Sequence, residues 1–319
     1  MSISREESKI LKAIAIMSVI FAHGYGWAGA FACVPIINSR RLLTFFVQCG
    51  LTLFLFLSGY GVYHSYSEKG FGAYWNNKID KVFVPATIIQ LVWCLVLFLC
   101  NSKSLVLGEG EWYELFLDII CVNPHNRADG TMWFLSFLLF CYLSFYFFFR
   151  FIHNKKAALM LLIVYWMILS PIMPRIWVDV QYYIPAFVMG IIVAFVSKIR
   201  IFHLRKRSLF YIILLLAVVI SLYLVFLFRK NYVVDVVGGL CSAFLFILLV
   251  KLIGTGYLRH IGYFGGISFY IYLLEYKVMF GAVDYTRYSD AGRLLLFTVL
   301  FAITIILSFV VDAIMRRNA

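Results

Sequence analysis

The sequence predicts an all-α, polytopic membrane protein with about ten transmembrane helices and with both termini in the cytoplasm. The first observation is the composition: 64% of the 319 residues are apolar and only 13% are charged, and the mean hydropathy is +0.93. A soluble globular chain carries about 25% charged residues. The second observation is that the apolar residues form ten runs, most of them near the roughly 20 residues that a spanning helix needs. We therefore expect one integral membrane domain over residues 1–319 and exclude a disordered chain, a disulfide scaffold and a cytosolic enzyme.

The loops between the apolar runs indicate the orientation of the chain. Lysine and arginine are about twice as frequent on the alternate loops that share a side with both termini as on the other loops. Cytoplasmic loops carry such an excess, so both termini are predicted to be cytoplasmic. The net charge of +13 then reflects topology, and no nucleic-acid partner is expected. The runs are 11–31, 42–63, 82–100, 131–152, 157–174, 182–197, 209–228, 232–252, 264–281 and 292–314.

The first run contains a histidine at a functionally suggestive depth. Ser4 and Glu7 have the spacing of a capping box, so a helix can begin before the membrane and continue into it. His23 follows Lys12 by eleven residues, which is about 16 Å along a helix and close to three turns. The two side chains therefore share a face, with a cation at the cytoplasmic mouth and an imidazole near mid-membrane. An ionisable group at that depth indicates a functional site, although a histidine bonded to a neighbouring helix explains it equally well.

A second interpretation of the first run is a cleaved signal peptide. Lys9 and Lys12 precede an apolar stretch that ends in the small-x-small sequence 30–32, as in a secretory signal. Trp27, however, is typical of an interfacial anchor of a retained helix. We favour the retained transmembrane helix.

The second run and the start of the third contain small and basic residues. The segment 50–61 is rich in glycine, which lets helices approach closely or admits a ligand. Ser58 lies there without a base near it in sequence, so its residue-level interpretation is packing. Lys78 and Lys81 are three residues apart and share a helix face, which suits contacts to a phosphate group. Ordinary cytoplasmic positive charge is the simpler explanation for this pair alone.

Two further residues stand out around the acidic connection, residues 101–130, and in the ninth run. Trp133 begins the fourth run directly after this connection, a position that an interfacial tryptophan also occupies. Glu275 places a carboxylate inside the ninth run and is as notable as His23. The two could pair, but no spacing in the sequence tests that.

The cysteines do not indicate chemistry. No pair has metal-binding or redox spacing, so we interpret them as small buried apolar residues and expect no metal site. The seven are Cys33, Cys49, Cys94, Cys100, Cys121, Cys141 and Cys241.

These features, in this order, resemble the acyltransferase-3 family of integral membrane acyltransferases over nearly the whole chain. Two departures affect the candidate site. Each arginine of the family motifs is lysine here, which keeps the charge but loses the bidentate guanidinium. The histidine that ends the ninth-span motif is Glu275. The segments that carry the resemblance are Lys12 with His23, Gly50 to Gly61, Lys78 and Lys81 before Pro85, Trp133 to Leu135, and Ser268 to Leu274.

The resemblance implies transfer of an acyl group, usually acetyl, from cytoplasmic acyl-CoA to a hydroxyl of a glycan or lipid-linked sugar. Acyl-CoA is then a donor substrate, no cofactor is tightly bound, and the location is the cytoplasmic membrane of a bacterium, in contact with membrane lipids. His23 and Glu275 become the candidate catalytic residues, with His23 as general base. The remaining candidates are Lys12, Lys78 and Lys81 for the phosphates of coenzyme A, and Trp133 and Ser58 for substrate binding.

Two other functions remain open from the sequence. A transporter or flippase of a polar lipid or sugar intermediate also fits many spans with buried ionisable groups. Against it, no matching pair of Gly- or Pro-broken segments occurs in the two halves of the chain, which is the usual indication of a transport site. A non-catalytic scaffold or degenerate family member is the third candidate, because Glu275 and the lysine substitutions depart from the family.

Overall fold

The computed structural model describes residues 2–31, 40–100, 112–177, 180–198, 215–220, 232–281 and 283–317. Within these residues the chain is helical or irregular and has no strand, which confirms the predicted all-α fold. Two π-helical turns, Ile79–Phe83 and Tyr276–Phe280, directly follow the second and the tenth of the main helices. The main helices are α1 Arg5–Gly26, α2 Arg40–Lys78, α3 Val84–Leu99, α4 Trp112–Ile119, α5 Trp133–Phe151, α6 Lys155–Leu169, α7 Ile184–Lys198, α8 Tyr232–Ile253, α9 Arg259–Gly266, α10 Ser268–Glu275 and α11 Asp290–Arg317.

The helices coincide with the apolar runs of the sequence. Of the seventh run, 209–228, the structure describes only residues 215–220, which are helical. Each of the other nine predicted runs contains a helix. By length and composition, five helices of the described residues can cross a membrane. The chain is therefore a membrane protein by its helices, while a total of ten spans and the side of the termini stay predictions. The five are Arg5–Gly26, Tyr74–Leu99, Trp133–Phe151, Asp235–Ile253 and Asp290–Arg316.

The start of α1 is held by the capping box that the sequence predicts. The Ser4 hydroxyl accepts from the Glu7 amide at 3.1 Å, and the Glu7 carboxylate accepts from the Ser4 amide at 2.6 Å. The Lys251 ammonium lies 2.8 Å from the same carboxylate and donates to the Ser2 carbonyl at 2.6 Å. These contacts fix the first turn of α1 to the last turn of α8, so both helix ends lie on one side of the molecule.

Glycines of α2 allow close helix crossings, as the segment 50–61 predicts. A Cβ on Gly59 would collide with the Phe187 carbonyl of α7, and one on Gly190 would collide with the backbone of α2. A Cβ on Gly50 would lie 2.9 Å from a backbone oxygen of α1. Gly61, in contrast, has nothing within 4 Å of its Cβ position. The small residues thus place α2 tightly between α1 and α7.

The ninth run is a broken helix that packs along α1. It divides at Ile267 into α9 and α10, and both parts contact α1. At Gly265 the backbone of α9 lies directly on the backbone of Lys9, where no side chain would fit. The π-helical turn then follows Glu275 without a gap. Such single π turns occur often at functional sites, and this one ends the helix that carries a candidate residue.

The described part of the acidic connection folds over the end of α3. The Trp93 indole donates to the Ala128 carbonyl at 2.7 Å, and the Gln90 amide donates to Asn126 at 3.2 Å. Asn126 in turn donates to the Asp118 carbonyl at 2.9 Å. Burial raises the pKa of the Asp118 carboxyl above its ordinary value. The connection is therefore a packed cap with its own polar core.

Most cysteines behave as small apolar residues. Cys49, Cys94, Cys121 and Cys141 are buried as free thiols, whereas Cys100 is exposed at the end of α3. Cys33 lies outside the described residues.

Candidate functional site

Helix α1 carries the two residues with which the sequence prediction begins. His23 lies in its last turn with 22% of the side chain exposed, and Lys12 is exposed eleven residues earlier. The unbroken helix between them preserves the predicted separation of about 16 Å on one face. Only three residues of α1 follow His23. The ring therefore lies near the C-terminal end of α1, at the predicted distance from Lys12, and its mid-membrane depth stays a prediction.

Glu275 meets His23 at this end of α1. The Nδ1 atom of His23 lies 3.1 Å from Oε1 of Glu275, whose side chain is fully buried. The contact has hydrogen-bond distance but not hydrogen-bond angles, so among the described residues neither carboxylate oxygen has an aligned donor. Catalytic hydrogen bonds are often poorly aligned before substrate binds and tighten afterwards. The pairing that no sequence spacing could test is therefore present as a close contact.

An aromatic enclosure surrounds the imidazole. The Trp27 indole stacks on it with ring centroids 4.2 Å apart and planes 6° from parallel. Phe280 lies perpendicular to both rings, 6.0 Å from the imidazole and 5.2 Å from the indole. Tyr276 meets the indole edge at 5.8 Å. The π-helical turn after Glu275 supplies both of these last rings, which is how it contributes to the site.

A second buried ion pair, which was not predicted from the sequence, lies next to this cluster. The Lys277 ammonium contacts the Asp129 carboxylate, and both side chains are buried. Asp129 also accepts from the Thr131 hydroxyl at 2.6 Å. Tyr272 donates to the Thr131 carbonyl at 2.5 Å. The available signal was that a lysine inside an apolar run requires a partner, and that residues 101–130 form the one loop rich in carboxylates.

The basic residues predicted for coenzyme A are partly brought together. Lys78 is half-buried, with its ammonium 4.2 Å from the centre of the Tyr142 ring. It is close enough to Lys12 for the two positive charges to repel each other. Lys81 lies in the π-helical turn that follows and is exposed. The structure thus joins Lys12 and Lys78 into one cationic region on the side opposite the His23–Glu275 contact along α1.

The two candidate substrate-binding residues occupy the helix packing. Trp133 is half-buried at the start of α5, perpendicular to the neighbouring Phe134 ring. Phe134 in turn contacts Tyr272, one turn before Glu275. Ser58 is half-buried beside the glycine crossing of α2. In the described part of the chain, neither Trp133 nor Ser58 makes a hydrogen bond, ion pair or ring contact to His23 or Glu275.

No group of three or more His, Cys, Asp and Glu side chains among the described residues is arranged to hold a metal ion. The chemistry available at the site is that of a histidine and a carboxylate in an aromatic, partly enclosed setting. A neutral imidazole there can accept a proton from a hydroxyl, and the buried carboxylate can stabilise the charge that results.

The chain matches the model of a known protein family. A family model described as an acyltransferase domain, of the acyltransferase-3 type, matches residues 6–313. No curated protein and no solved structure matches the chain. The matched range includes every candidate site residue.

Proposed function

Because the chain belongs to the acyltransferase-3 family and is therefore a membrane acyltransferase, we propose that it acylates a hydroxyl of a glycan or lipid-linked sugar. The donor in this proposal is a cytoplasmic acyl-CoA, and the acyl group is acetyl. The acceptor is reached from the opposite side of the membrane. In this proposal the protein lies in the cytoplasmic membrane of a bacterium.

The observation that supports this proposal best is the contact between His23 and Glu275. With Glu275 beside Nδ1, the tautomer that carries its proton on Nδ1 is favoured, and this leaves the Nε2 lone pair free. In the proposed reaction, Nε2 takes the hydroxyl proton while the hydroxyl oxygen attacks the thioester carbonyl. The carbon–sulfur bond then breaks, and the departing thiolate takes the proton from the imidazolium. Glu275 stabilises the imidazolium between these steps, as the acidic member of a catalytic triad does.

The donor is assigned to the cationic region formed by Lys12 and Lys78, with Lys81 beside it. Two ammonium groups that repel each other are stabilised when a polyanion binds between them. Coenzyme A presents its phosphates at one end and its thioester at the end of a long arm. That arm would have to cover the distance of about 16 Å that separates Lys12 from His23 along α1.

The acceptor side is proposed to include Trp133 and Ser58. Trp133 supports this assignment because its neighbour Phe134 contacts Tyr272, which lies one turn before the candidate catalytic carboxylate. Ser58 has weaker support, because its position beside the Gly59 crossing is explained by packing alone.

The experiment uses purified full-length protein in proteoliposomes with acetyl-CoA labelled in the acetyl group and a panel of defined oligosaccharides. Covalent label on an oligosaccharide, removable by mild base as an ester, is the expected result. His23→Gln should lower the rate by about 10²- to 10⁴-fold. His64→Gln is the matched control, because His64 also contacts a carboxylate, that of Glu68 at 3.3 Å, but on the surface.

Two outcomes would contradict the proposal. Wild-type rates in the His23→Gln variant would show that His23 is not the general base. Movement of an oligosaccharide across the bilayer without covalent label would favour the transporter.

A further inference from the structure

Trp27 is stacked on the His23 ring at the end of α1. It is the residue that caps the C-terminus of α1, and 49% of it is exposed. Trp27 follows His23 by four residues, so both lie on one face of the helix end. Its indole covers a face of the imidazole at 4.2 Å, only 6° from parallel. An interfacial anchor would need the right depth but no such alignment with a histidine.

Neighbouring rings restrain the indole in this position. Phe280 and Tyr276 meet it nearly perpendicularly, at 86° and 87°, with centroid distances of 5.2 and 5.8 Å. Phe280 also meets the imidazole at 88°. Edge-to-face contacts of this kind have a preferred geometry. Both rings belong to the π-helical turn that follows Glu275, so one short segment positions the carboxylate and the stacked pair together.

The stack has different energies in the two charge states of His23. The face of an indole attracts a cation within about 6 Å of its centre, and tryptophan is the strongest of the aromatic side chains in this respect. The attraction acts on the imidazolium much more than on the neutral ring. An interaction that is stronger in the transition state than in the ground state accelerates the reaction.

We propose that Trp27 is a positioning residue that holds the His23 ring and stabilises its imidazolium form during acyl transfer. The proposal rests on the proposed role of His23 as general base. The indole and the Glu275 carboxylate then both hold the His23 ring and stabilise its imidazolium form. The indole acts on the face of the ring, and the carboxylate acts at Nδ1.

Other charged or titratable groups around this end of α1 have partners of their own. Lys277 and Asp129 pair with each other, and Arg293 donates to the carbonyls of Tyr285 and Tyr288 with Asp290 at 3.7 Å. Asp235 of α8 accepts from Gln48 of α2. The phenols of Tyr272 and Tyr276 belong to the segment that carries Glu275. Among the described residues, Glu275 is therefore the charged group that acts most directly on His23, and its effect must be separated from that of Trp27.

The first test compares Trp27→Leu and Trp27→Phe with the wild type in the acetyl-transfer assay over a range of pH. In Trp27→Leu we expect kcat to fall by about 3- to 30-fold, with little change in KM for acetyl-CoA. We also expect the acidic limb of the pH profile, where His23 is protonated, to move to lower pH. Trp27→Phe keeps a weaker aromatic face and should lie between the two. Trp112→Leu is the control, because Trp112 is also exposed but lies on α4.

The second test does not depend on activity. A protonated imidazole quenches an indole stacked on it, so the fluorescence difference between wild type and Trp27→Phe should decrease as the pH falls. In the His23→Gln background the same difference should not depend on pH. A difference that is independent of pH in the wild type, or an unchanged pH profile in Trp27→Leu, would overturn the role of Trp27. Normal acyl transfer by His23→Gln, together with pH-dependent quenching of Trp27 in the wild type, would instead overturn the proposed function, and with it the catalytic use of the stack.

Discussion

Glu275 is one of the residues at which this chain departs from the family motif it resembles, and its position gives the departure a chemical meaning. The resembled family has histidine here. A carboxylate that is fully buried and 3.1 Å from His23 can hold the imidazole and neutralise its positive charge, neither of which a neutral second imidazole does as well. At the scale of single residues, the substitution therefore favours a His–Glu pair over loss of function.

Replacement of Glu275 tests this directly. We expect Glu275→Gln to lower kcat by about 10²- to 10⁴-fold, because the amide keeps the shape but neither fixes the tautomer nor stabilises the imidazolium. Glu275→His, which restores the family residue, should retain more activity than the amide. Glu68→Gln serves as the control, since Glu68 contacts His64 at the surface. Kinetics of acetyl transfer at saturating donor measure the effect, and full activity in Glu275→Gln would contradict the assignment.

Lys12 should affect donor binding and not the chemical step. Loss of one charged contact to a phosphate costs about 1.5–3 kcal/mol, so Lys12→Gln should raise KM for acetyl-CoA by about 10- to 100-fold with kcat nearly constant. Lys12→Arg keeps the charge and should restore most of the affinity. Lys156→Gln removes an exposed lysine at the start of α6 and controls for general loss of positive charge. An unchanged KM in Lys12→Gln would mean that the donor phosphates bind elsewhere.

At the scale of elements, the pair formed by Lys277 and Asp129 connects the acidic connection to the broken ninth helix. The π-helical turn carries Lys277, and the same short segment carries the rings around His23. Removal of one member of a buried ion pair leaves the other charge without compensation, which costs about 3–5 kcal/mol. The connection thus contributes to the position of the candidate site without touching His23.

We expect Asp129→Asn to lower the thermal or denaturant midpoint strongly, for this reason. The double variant Asp129→Asn with Lys277→Met should recover much of the loss, because it removes both charges from the interior. Asp284→Asn is the matched control: Asp284 pairs with Arg287 at 3.0 Å, but on the surface, so the midpoint should not change. Equal midpoints for Asp129→Asn and Asp284→Asn would show that the buried pair does not stabilise the folded protein.

The sequence predicts the elements far better than the contacts between them. Apolar runs of helical length place the helices, and Ser4 with Glu7 predicts the start of α1, because both signals are local. The approach of His23 to Glu275 joins residues far apart in the chain, and no periodicity constrains such a distance. The contact between Asp129 and Lys277 could not be predicted for the same reason. The break at Ile267 was not predicted either; it follows Gly265 and Gly266, and at Gly265 the backbone lies directly on α1.

At the scale of the whole molecule, the proposed function requires two chemically different ends. One end holds the first turn of α1, the last turn of α8 around Lys251, and the cationic region of Lys12 and Lys78. The opposite end holds the acidic connection, the buried pair with Lys277, and the contact between His23 and Glu275. A donor with several phosphates fits the first end. The predicted orientation therefore carries functional consequences beyond topology, since acyl-CoA is available only from the cytoplasm.

Cysteine labelling in intact cells tests this orientation with residues that the chain already exposes. Cys100 is an exposed free thiol at the end of α3, beside the acidic connection, so a membrane-impermeant maleimide should label it from outside. In a Cys100→Ser background, Tyr257→Cys places a thiol at a strongly exposed position between α8 and α9. That thiol should react only after the membrane is permeabilised, and Cys100→Ser alone gives the background. The reverse labelling pattern would show that Lys12 and Lys78 lie on the side of the membrane opposite the cytoplasm. The acyl-CoA assignment would then fail even if His23 and Glu275 proved essential.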